Sequence, residues 1–492
     1  MAEKRSESGG LLAPLRVNRT DQPSMTPVLI LAATSARMMA QSARRGGIRA
    51  IALDVFGDLD TRGAAHWVSI ANDRRKDIDA QRMEAALSRL SGHPGILGWV
   101  AGGGFEDRLD VMDQCSQALP LIGNGVAAVA AVKDPLNFFR LLDRYGIEHP
   151  ETTKEPPSYP AGWLSKRVGG TGGWHVRRLQ PSAVAGGSCH GASAPREAFP
   201  AVDHPHARDD ALALESAPAL GNAPAPESAP VRGSAPAQGS SHASDHSPSR
   251  DVAPFGGPTP AGQDCHVSGG TSRSALQASY YQREVAGVSM SVLFLANAVD
   301  VALIGFNRLL FGASGDRPFV FQGAVGPIPL PVAVAGIVRW AAAQITRHVG
   351  LLGLNSMDFL LSNGRVCVLE VNARPSATLD LHDDRLRGGL MSAHLTACRA
   401  RSLPHQEPAG LTPVKGLQVV YAIRPYLASR RGRLRLQELG WCHDIGREGT
   451  VTGRGEPLCS VSARAQTEAA VIAKLALRAR HIEQIHEEEN DG

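Results

Sequence analysis

An Asn-Gly pair at 363–364 separates two apolar runs, Phe359-Leu360-Leu361 before it and Val366, Val368 and Leu369 after it. No other stretch constrains the fold so tightly, because this pattern is a strong local signal for a β-hairpin. The hairpin also carries polar residues of one kind. Glu370 and Asn372 are two apart and share a strand face. The position of Asp358 depends on the turn. A two-residue loop pairs Ser362 with Arg365 and sends Asp358 to the opposite face. A three-residue loop, Ser362-Asn363-Gly364 with Gly364 left-handed in a bulge, pairs Leu361 with Arg365 and brings Asp358 onto the face of Glu370. We expect the three-residue loop. An isolated Asp…Glu pair on a hairpin is more often a solvated surface feature. Here the acids sit among apolar residues and continue into Asn372-Ala373-Arg374, a set of oxygen ligands suited to a hard divalent ion that also holds phosphates.

A second segment supplies a partner for such phosphates. Trp163 to Val168 reads as a strand carrying Lys166. Gly169, Gly170, Thr171, Gly172 and Gly173 then make a turn, and Trp174-His175-Val176 begins another strand. Glycines let backbone N–H groups approach and cradle phosphate oxygens. The loop is not a Walker loop, because no Gly-Lys-Ser/Thr follows, and no helix follows it as in a dinucleotide fingerprint. A hairpin lid over a nucleotide fits the pattern. On its own a glycine-rich turn is more often an ordinary flexible loop.

Taken together, these segments resemble the ATP-grasp superfamily of carboxylate–amine ligases over about residues 126–395. Asp358, Glu370, Asn372 and Arg374 match the family's acidic residue followed by Glu-x-Asn-x-Arg on the next strand. Its two lysines correspond to Lys133, before the helix that precedes the lid, and Lys166, on the strand entering the glycine loop. Tyr281 to Gly287 resembles the hinge that holds the adenine, which points to Gln282. Many members place an acid just before the hinge glycine for the ribose; here Ala286 stands there, with Glu284 the nearest substitute. Gly353 to Asp358 and Gly323 to Pro327 are similar to a narrower ATP-grasp subgroup, described as related to biotin carboxylase. Its members occur in bacteria that use tetrahydromethanopterin and methylofuran as one-carbon carriers. No biotin-carrier motif is visible.

The resemblance implies an ADP-forming enzyme that uses ATP and Mg²⁺ (or Mn²⁺), joins a small-molecule carboxylate to an amine, and is often a homodimer. It assigns the metal to Asp358, Glu370 and Asn372. It assigns the nucleotide to Lys133, Lys166, the glycine loop at 169–173, Gln282 and Glu284, and catalysis to Arg374 and Lys166. Two other classes compete. A non-catalytic nucleotide-binding regulator would need no complete ligand set. A nicotinamide oxidoreductase would need GxGxxG after Leu31, where Ala32-Ala33-Thr34-Ser35 stands.

The chain has 492 residues, too many for one core, so two or three domains are expected. Residues 1–26 read as a disordered lead. Residues 27–125 read as a parallel-sheet domain: a strand at Pro27–Ala33, a helix at Ser35–Arg45, a strand at Ile48–Val55, and further strands at Trp67–Ile70 and Ile96–Ala101. Thr34–Arg37 and Gly102–Glu106 follow strand ends and are either substrate-facing loops or plain tight turns. The nucleotide-binding domain spans 126–398, in the expected α/β and α+β ATP-grasp architecture. It is interrupted by an Ala/Pro/Ser-rich segment at 181–274, where Ser-Ala-Pro recurs at 216–218, 228–230 and 234–236. Such a composition cannot bury enough apolar surface to offset ordering entropy. A linker at 399–414 leads to a small α+β module at 415–487. Within it Arg430–Arg433 reads as a solvated loop, and His443-Asp444 as either a structural turn or a catalytic base pair.

With Lys and Arg scattered and a net charge of +4, no electrostatic footprint for nucleic acid is present. No apolar run approaches the length of a membrane span, and the N-terminus has no secretory signal character. The seven cysteines form no CxxC pair. Reduced thiols in the cytoplasm are expected, and the Cys-His pairs at 189–190 and 265–266 lie in low-complexity sequence and are not expected to hold zinc.

Overall fold

The computed structural model describes residues 27–72, 77–180, 279–405 and 413–491. The expected lead at 1–26, the 181–274 segment with Cys189 and Cys265, and part of the linker lie outside the described residues.

The first domain follows from its sequence rhythm. Four parallel strands stand in the spatial order His66–Ser69, Arg49–Asp54, Val28–Ala33, Ile96–Ala101. The run Leu29 to Ala33 is wholly buried, as a central parallel strand covered on both faces must be. The first helix, Arg37–Arg45, turns Met39, Ala40 and Ala43 onto the sheet. The strand ends at Ala33, Asp54 and Ala101 open toward one side, where ligands bind in sheets of this kind.

Two consecutive helices then lead out of this domain. Val126–Lys133 ends where Pro135–Tyr145 begins, and Asp134 serves both. Its carboxylate accepts from the backbone N–H groups of Leu136 and Asn137, with Pro135 in the first turn and Gly146 left-handed at the far end. Asp-Pro at one end and Gly at the other are strong boundary signals. The tight junction fixes Lys133 as the last residue of its helix.

Two larger antiparallel sheets and a two-stranded one, Tyr426–Leu427 with Val451–Thr452, make the rest among the described residues. The smaller of the two larger sheets has the order Thr152–Thr153, Ser279–Arg283, Trp163–Arg167, Val176–Arg178. The larger has eight strands among the described residues, in the order Arg365–Asn372, Leu352–Ser362, Val288–Asn297, Val301–Ser314, Arg317–Gly326, Val414–Tyr421, Pro457–Ala465, Cys442–His443. The last three belong to the C-terminal module, whose strands therefore continue the same sheet by pairing of Val414–Tyr421 with Arg317–Gly326. The closing helix, Glu468–Asp491, packs Val471, Leu475, Ala479, Ile482 and Ile485 against that end.

Two expectations are corrected. The hairpin turn has two residues, not three: Ser362 pairs with Arg365, and Asn363 and Gly364 both have positive φ, at 50° and 78°. This backbone twist suits tightly connected strands. Asp358 nonetheless stands opposite Glu370, because the register shifts between Phe359 (opposite Val368) and Asp358, which leaves Leu369 as a bulge. Arg430–Arg433 is not a solvated loop but the first turn of a helix, Arg430–Glu438. Ser429 caps it by accepting from the Gly432 N–H at 2.9 Å, and Arg435 is held by Glu488 at 2.7 Å.

Candidate active site

The bulged hairpin gathers its polar side chains on one face. The Asn372 amide nitrogen lies 3.4 Å from both Asp358 Oδ2 and Glu370 Oε1. Lys133 Nζ, brought in from the end of its helix, donates to Asn372 Oδ1 at 3.0 Å and lies 3.6 Å from Glu370 Oε2. Lys133 is almost fully enclosed, whereas Glu370 keeps 40 % of its side chain open to the cleft.

Electrostatics separates the two carboxylates. Burial, together with the neighbouring Glu370 charge, raises the Asp358 carboxyl well above the usual range. Burial works to raise Glu370 as well, but the Lys133 and Lys166 ammonium groups outweigh it and hold that carboxyl low. Two like charges at one place resist joint ionisation unless a cation neutralises them. The two carboxylates therefore fit a hard divalent cation, and the Asn372 amide oxygen, here turned to Lys133 with the amide nitrogen toward the carboxylates, joins them as a ligand when the amide group is flipped. Among the described residues no cluster of three His, Cys, Asp or Glu side chains has metal-binding geometry, so this set depends on the amide as its third member.

Facing the hairpin, the small sheet supplies Lys166. It pairs opposite Tyr280, so Gln282 two residues on shares its face. Lys166 Nζ donates to Gln282 Oε1 at 2.6 Å, and Gln282 Nε2 donates to Thr152 Oγ1 at 3.2 Å. Burial lowers the Lys166 ammonium below the ordinary lysine range, against the pull of Glu370 and Asp358. Between the two sheets lies a cavity of about 140 Å³. Lys166, Asp358 and Glu370 line it together with Gln282, Glu284 and Val285.

The glycine loop is docked rather than free. The carbonyl of Gly172 accepts from the Phe321 N–H at 3.0 Å. A side chain on Gly173 would run into the Phe319 carbonyl, and its φ of 76° lies in the left-handed region. Trp174 lies edge-on to Tyr421 at 5.7 Å, with the Arg317 guanidinium 5.1 Å from its ring. Gly172 and Gly173 line the cavity, Gly169 packs against Asp107 and the Glu106 carbonyl, Gly170 sits against the His175 ring, and Thr171 is exposed.

Arg374 belongs to a different edge of the site. It forms a close ion pair with Glu106, which extends from the loop after the strand Ile96–Ala101; Glu106 also accepts from the Gly104 N–H at 2.7 Å. Burial works to raise the Glu106 carboxyl, but Arg374 and Lys133 hold it below the usual carboxylate range. Glu284, the expected ribose residue, lines the cavity with its carboxylate committed to Arg178 through contacts of 2.7, 2.9 and 3.2 Å. The pair His443-Asp444 is divided between partners: Asp444 holds Arg37 at 2.6 Å, and His443 Nε2 meets Ser462 Oγ at 2.8 Å.

Sequence reasoning did not single out His175, and it placed Glu106 only in the loop Gly102–Glu106, read as either substrate-facing or a plain tight turn, without a role of its own. His175 lines the cavity beside Lys166 and Glu370. Burial pushes its imidazole down to about 4, which leaves it neutral near pH 7. Its position directly after the glycine loop was the one available signal. Glu106 carried none beyond its place after a strand end.

This arrangement, a cleft between two antiparallel sheets with oxygen ligands on one and a lysine on the other, is that of the ATP-grasp fold. A family model described as the ATP-grasp domain matches residues 263–378. Comparison with curated proteins yields no match. Solved structures agree in fold. The L-amino acid ligase from Bacillus licheniformis matches with 11% identity and a TM-score of 0.54, over 94% of this chain and 98% of that one. Biotin carboxylase from Campylobacter jejuni matches with 10% identity and a TM-score of 0.55, over 90% and 89%. Phosphoribosylamine–glycine ligase from Thermotoga maritima matches with 12% identity and a TM-score of 0.53, over 92% and 96%. The chain therefore has the ATP-grasp fold with a parallel-sheet N-terminal domain and a C-terminal α+β module. Among the described residues no helix is long and apolar enough to cross a membrane.

Proposed function

We propose that this protein is an ADP-forming ligase that activates a carboxylate with ATP and joins it to an amine. The observation that carries this reading is that Asp358, Glu370 and Lys166 line the inter-sheet cavity while Asn372 and Lys133 contact the same two carboxylates or each other. The names of the fold relatives, two amine ligases and a carboxylase, support it.

The chemistry needs ATP because oxide is not expelled from a carboxylate at neutral pH. Attack of the carboxylate oxygen on the γ-phosphorus releases ADP and leaves an acyl phosphate. The amine nitrogen then adds to the acyl carbon, loses a proton and expels inorganic phosphate. Asp358, Glu370 and Asn372 would hold Mg²⁺ or Mn²⁺, which when bound neutralises charge on the phosphates. Lys133 and Lys166 add fixed positive charge beside the same groups. The lid amides at 169–173 cover the phosphates and exclude water, which would hydrolyse the acyl phosphate. The Lys166–Gln282 contact links the phosphate end to the adenine hinge. Arg374, with its Nε held by Glu106, offers its other N–H groups to the transferred phosphoryl group or to the carboxylate.

The narrower assignment, to biosynthesis of a one-carbon carrier of the tetrahydromethanopterin or methylofuran type, rests on the likeness of Gly353–Asp358 and Gly323–Pro327 to that subgroup, and a cytoplasmic location on the seven cysteines without a CxxC pair. A homodimer has the same kind of support. Two experiments test the proposal. Calorimetry with ATP analogues, with and without Mg²⁺, should show metal-dependent binding, and absence of binding sinks the ligase reading. Mass spectrometry of cell extracts with and without the protein should reveal an accumulating acid that, added with an amine, stimulates ADP release.

A further inference from the structure

The sheet that carries Lys166 turns Leu164, Lys166, Val176, Tyr280 and Gln282 toward the cavity, and all five line it. The mechanism above gives tasks to Lys166 and Gln282 and none to Tyr280. Strand register fixes where Tyr280 stands. It pairs directly with Lys166, and Ser279 pairs with Arg167, so this end of the strand is level with the entry to the glycine loop at 169–173. Gln282 stands two residues, about 7 Å, nearer the hinge. The ring is partly buried, with its apolar edge against the core beneath. Its hydroxyl makes no hydrogen bond with any described residue, and the oxygen is not closed off from the cavity. Burial and the Glu370 charge both raise the phenol above its ordinary range. The carboxylate is thus close to the ring, yet the hydroxyl does not donate to it.

We propose that Tyr280 is a further nucleotide-binding residue, its O–H donating to an oxygen of the β- or γ-phosphate of a bound nucleoside triphosphate. The inference rests on the nucleotide-binding reading above and deepens it. Three neighbours define what the open hydroxyl can meet: the Lys166 ammonium opposite it, and the Asp358 and Glu370 carboxylates that line the same cavity. A ligand group lying among an ammonium, a free O–H and a carboxylate pair suited to a cation is an anionic oxygen that shares that cation, as a metal-bound phosphate does. The base and the ribose belong to the hinge, which the register sets farther along the strand. A phenol supplies one O–H and therefore one directed bond. Lys166 beside it acts as a point charge with little directionality, so the pair would combine attraction with orientation.

The test uses calorimetric titration of the full chain with Mg²⁺ and a non-hydrolysable ATP analogue, and separately with AMP. Tyr280→Phe removes the hydroxyl and keeps the ring. It should weaken the ATP analogue about tenfold, as expected for a hydrogen bond to a charged group, with AMP affinity unchanged. The melting temperature of the nucleotide-free variant should match that of the parent, because the hydroxyl has no protein partner to lose. The rise in melting temperature on adding the ATP analogue should be smaller in the variant, as weaker binding to the folded state requires. A merely structural role would instead lower the nucleotide-free melting temperature and weaken AMP as well. The proposal is overturned if Tyr280→Phe binds the ATP analogue within threefold of the parent, or if AMP weakens to the same degree. With the parent binding the analogue and the variant binding it equally, this inference alone falls. If the parent binds neither nucleotide, the nucleotide-site reading falls and takes this inference with it.

Discussion

Asp358 stands opposite Glu370 across the hairpin because Leu369 bulges out of the ladder between them. Without that single extra residue, the two-residue turn would place the carboxylates on opposite faces. The pair is the core of the candidate metal site, so its removal gives the first prediction. Glu370→Gln should reduce metal-dependent ATP turnover at least about a hundredfold, since loss even of outer-shell metal partners costs about 10–100-fold. The melting temperature should stay near that of the parent, because Glu370 faces the cleft. Near-normal rates of ADP release from a folded variant would show the metal assignment to be wrong.

The docked lid yields a second prediction. Gly173→Ala places a methyl group into the Phe319 carbonyl at a positive φ, which forces the loop away from the strand Arg317–Gly326. The Michaelis constant for ATP should rise about tenfold, on the scale of a loss of 1–2 kcal/mol. Trp174 should lose its contacts with Tyr421 and Arg317, so its fluorescence should shift toward that of an exposed indole. An unchanged emission spectrum together with an unchanged Michaelis constant would mean that the lid is not anchored there.

Arg37 joins three parts of the chain. Its side chain is 4% exposed and meets Asp444 at 2.6 Å and Asp380 at 3.2 Å, while Leu59 N–H donates to the Ile445 carbonyl nearby at 3.3 Å. Removing one partner of a buried pair leaves charge uncompensated and costs about 3 kcal/mol. Arg37→Met should therefore lower the urea midpoint substantially, with the C-terminal module becoming the more protease-sensitive part. A midpoint within error of the parent would place Arg37 among pairs of no net energetic consequence.

The fourth prediction concerns pH. Asp54 is wholly buried and accepts from the N–H groups of Ala36 at 2.6 Å and Gly57 at 2.5 Å. Burial, partly offset by these bonds, pushes its carboxyl up to about 7. The folded state thus binds this proton more tightly than the unfolded chain, whose aspartate titrates near 4. The contribution of Asp54 is then most favourable below about pH 4 and is lost as pH rises from about 4 to about 7. Asp54→Asn should flatten the stability profile over that window, whatever its effect on absolute stability. Urea unfolding of both proteins at pH 4.5, 6 and 8 checks this, and parallel slopes would rule it out.

Local sequence determined the elements. Alternating apolar runs set the strands, Asp134-Pro135 and Gly146 bounded a helix, and Asn363-Gly364 announced the hairpin, each through interactions among residues a few positions apart. The identities of Asp358, Glu370, Asn372 and Lys166 were legible because oxygen ligands and a lysine beside a glycine loop stand out among apolar neighbours, whereas Lys133 was picked out only through the resemblance to the ATP-grasp superfamily. Tertiary structure decided how they meet. The Leu369 bulge answers to packing across two strands, which no turn rule contains. The pairing of Glu106 with Arg374 joins residues 268 positions apart, and Lys133 reaches Asn372 across 239. Side-chain pairs at such separations are set by how whole sheets pack, and packing is a property of the assembled core rather than of any window of sequence.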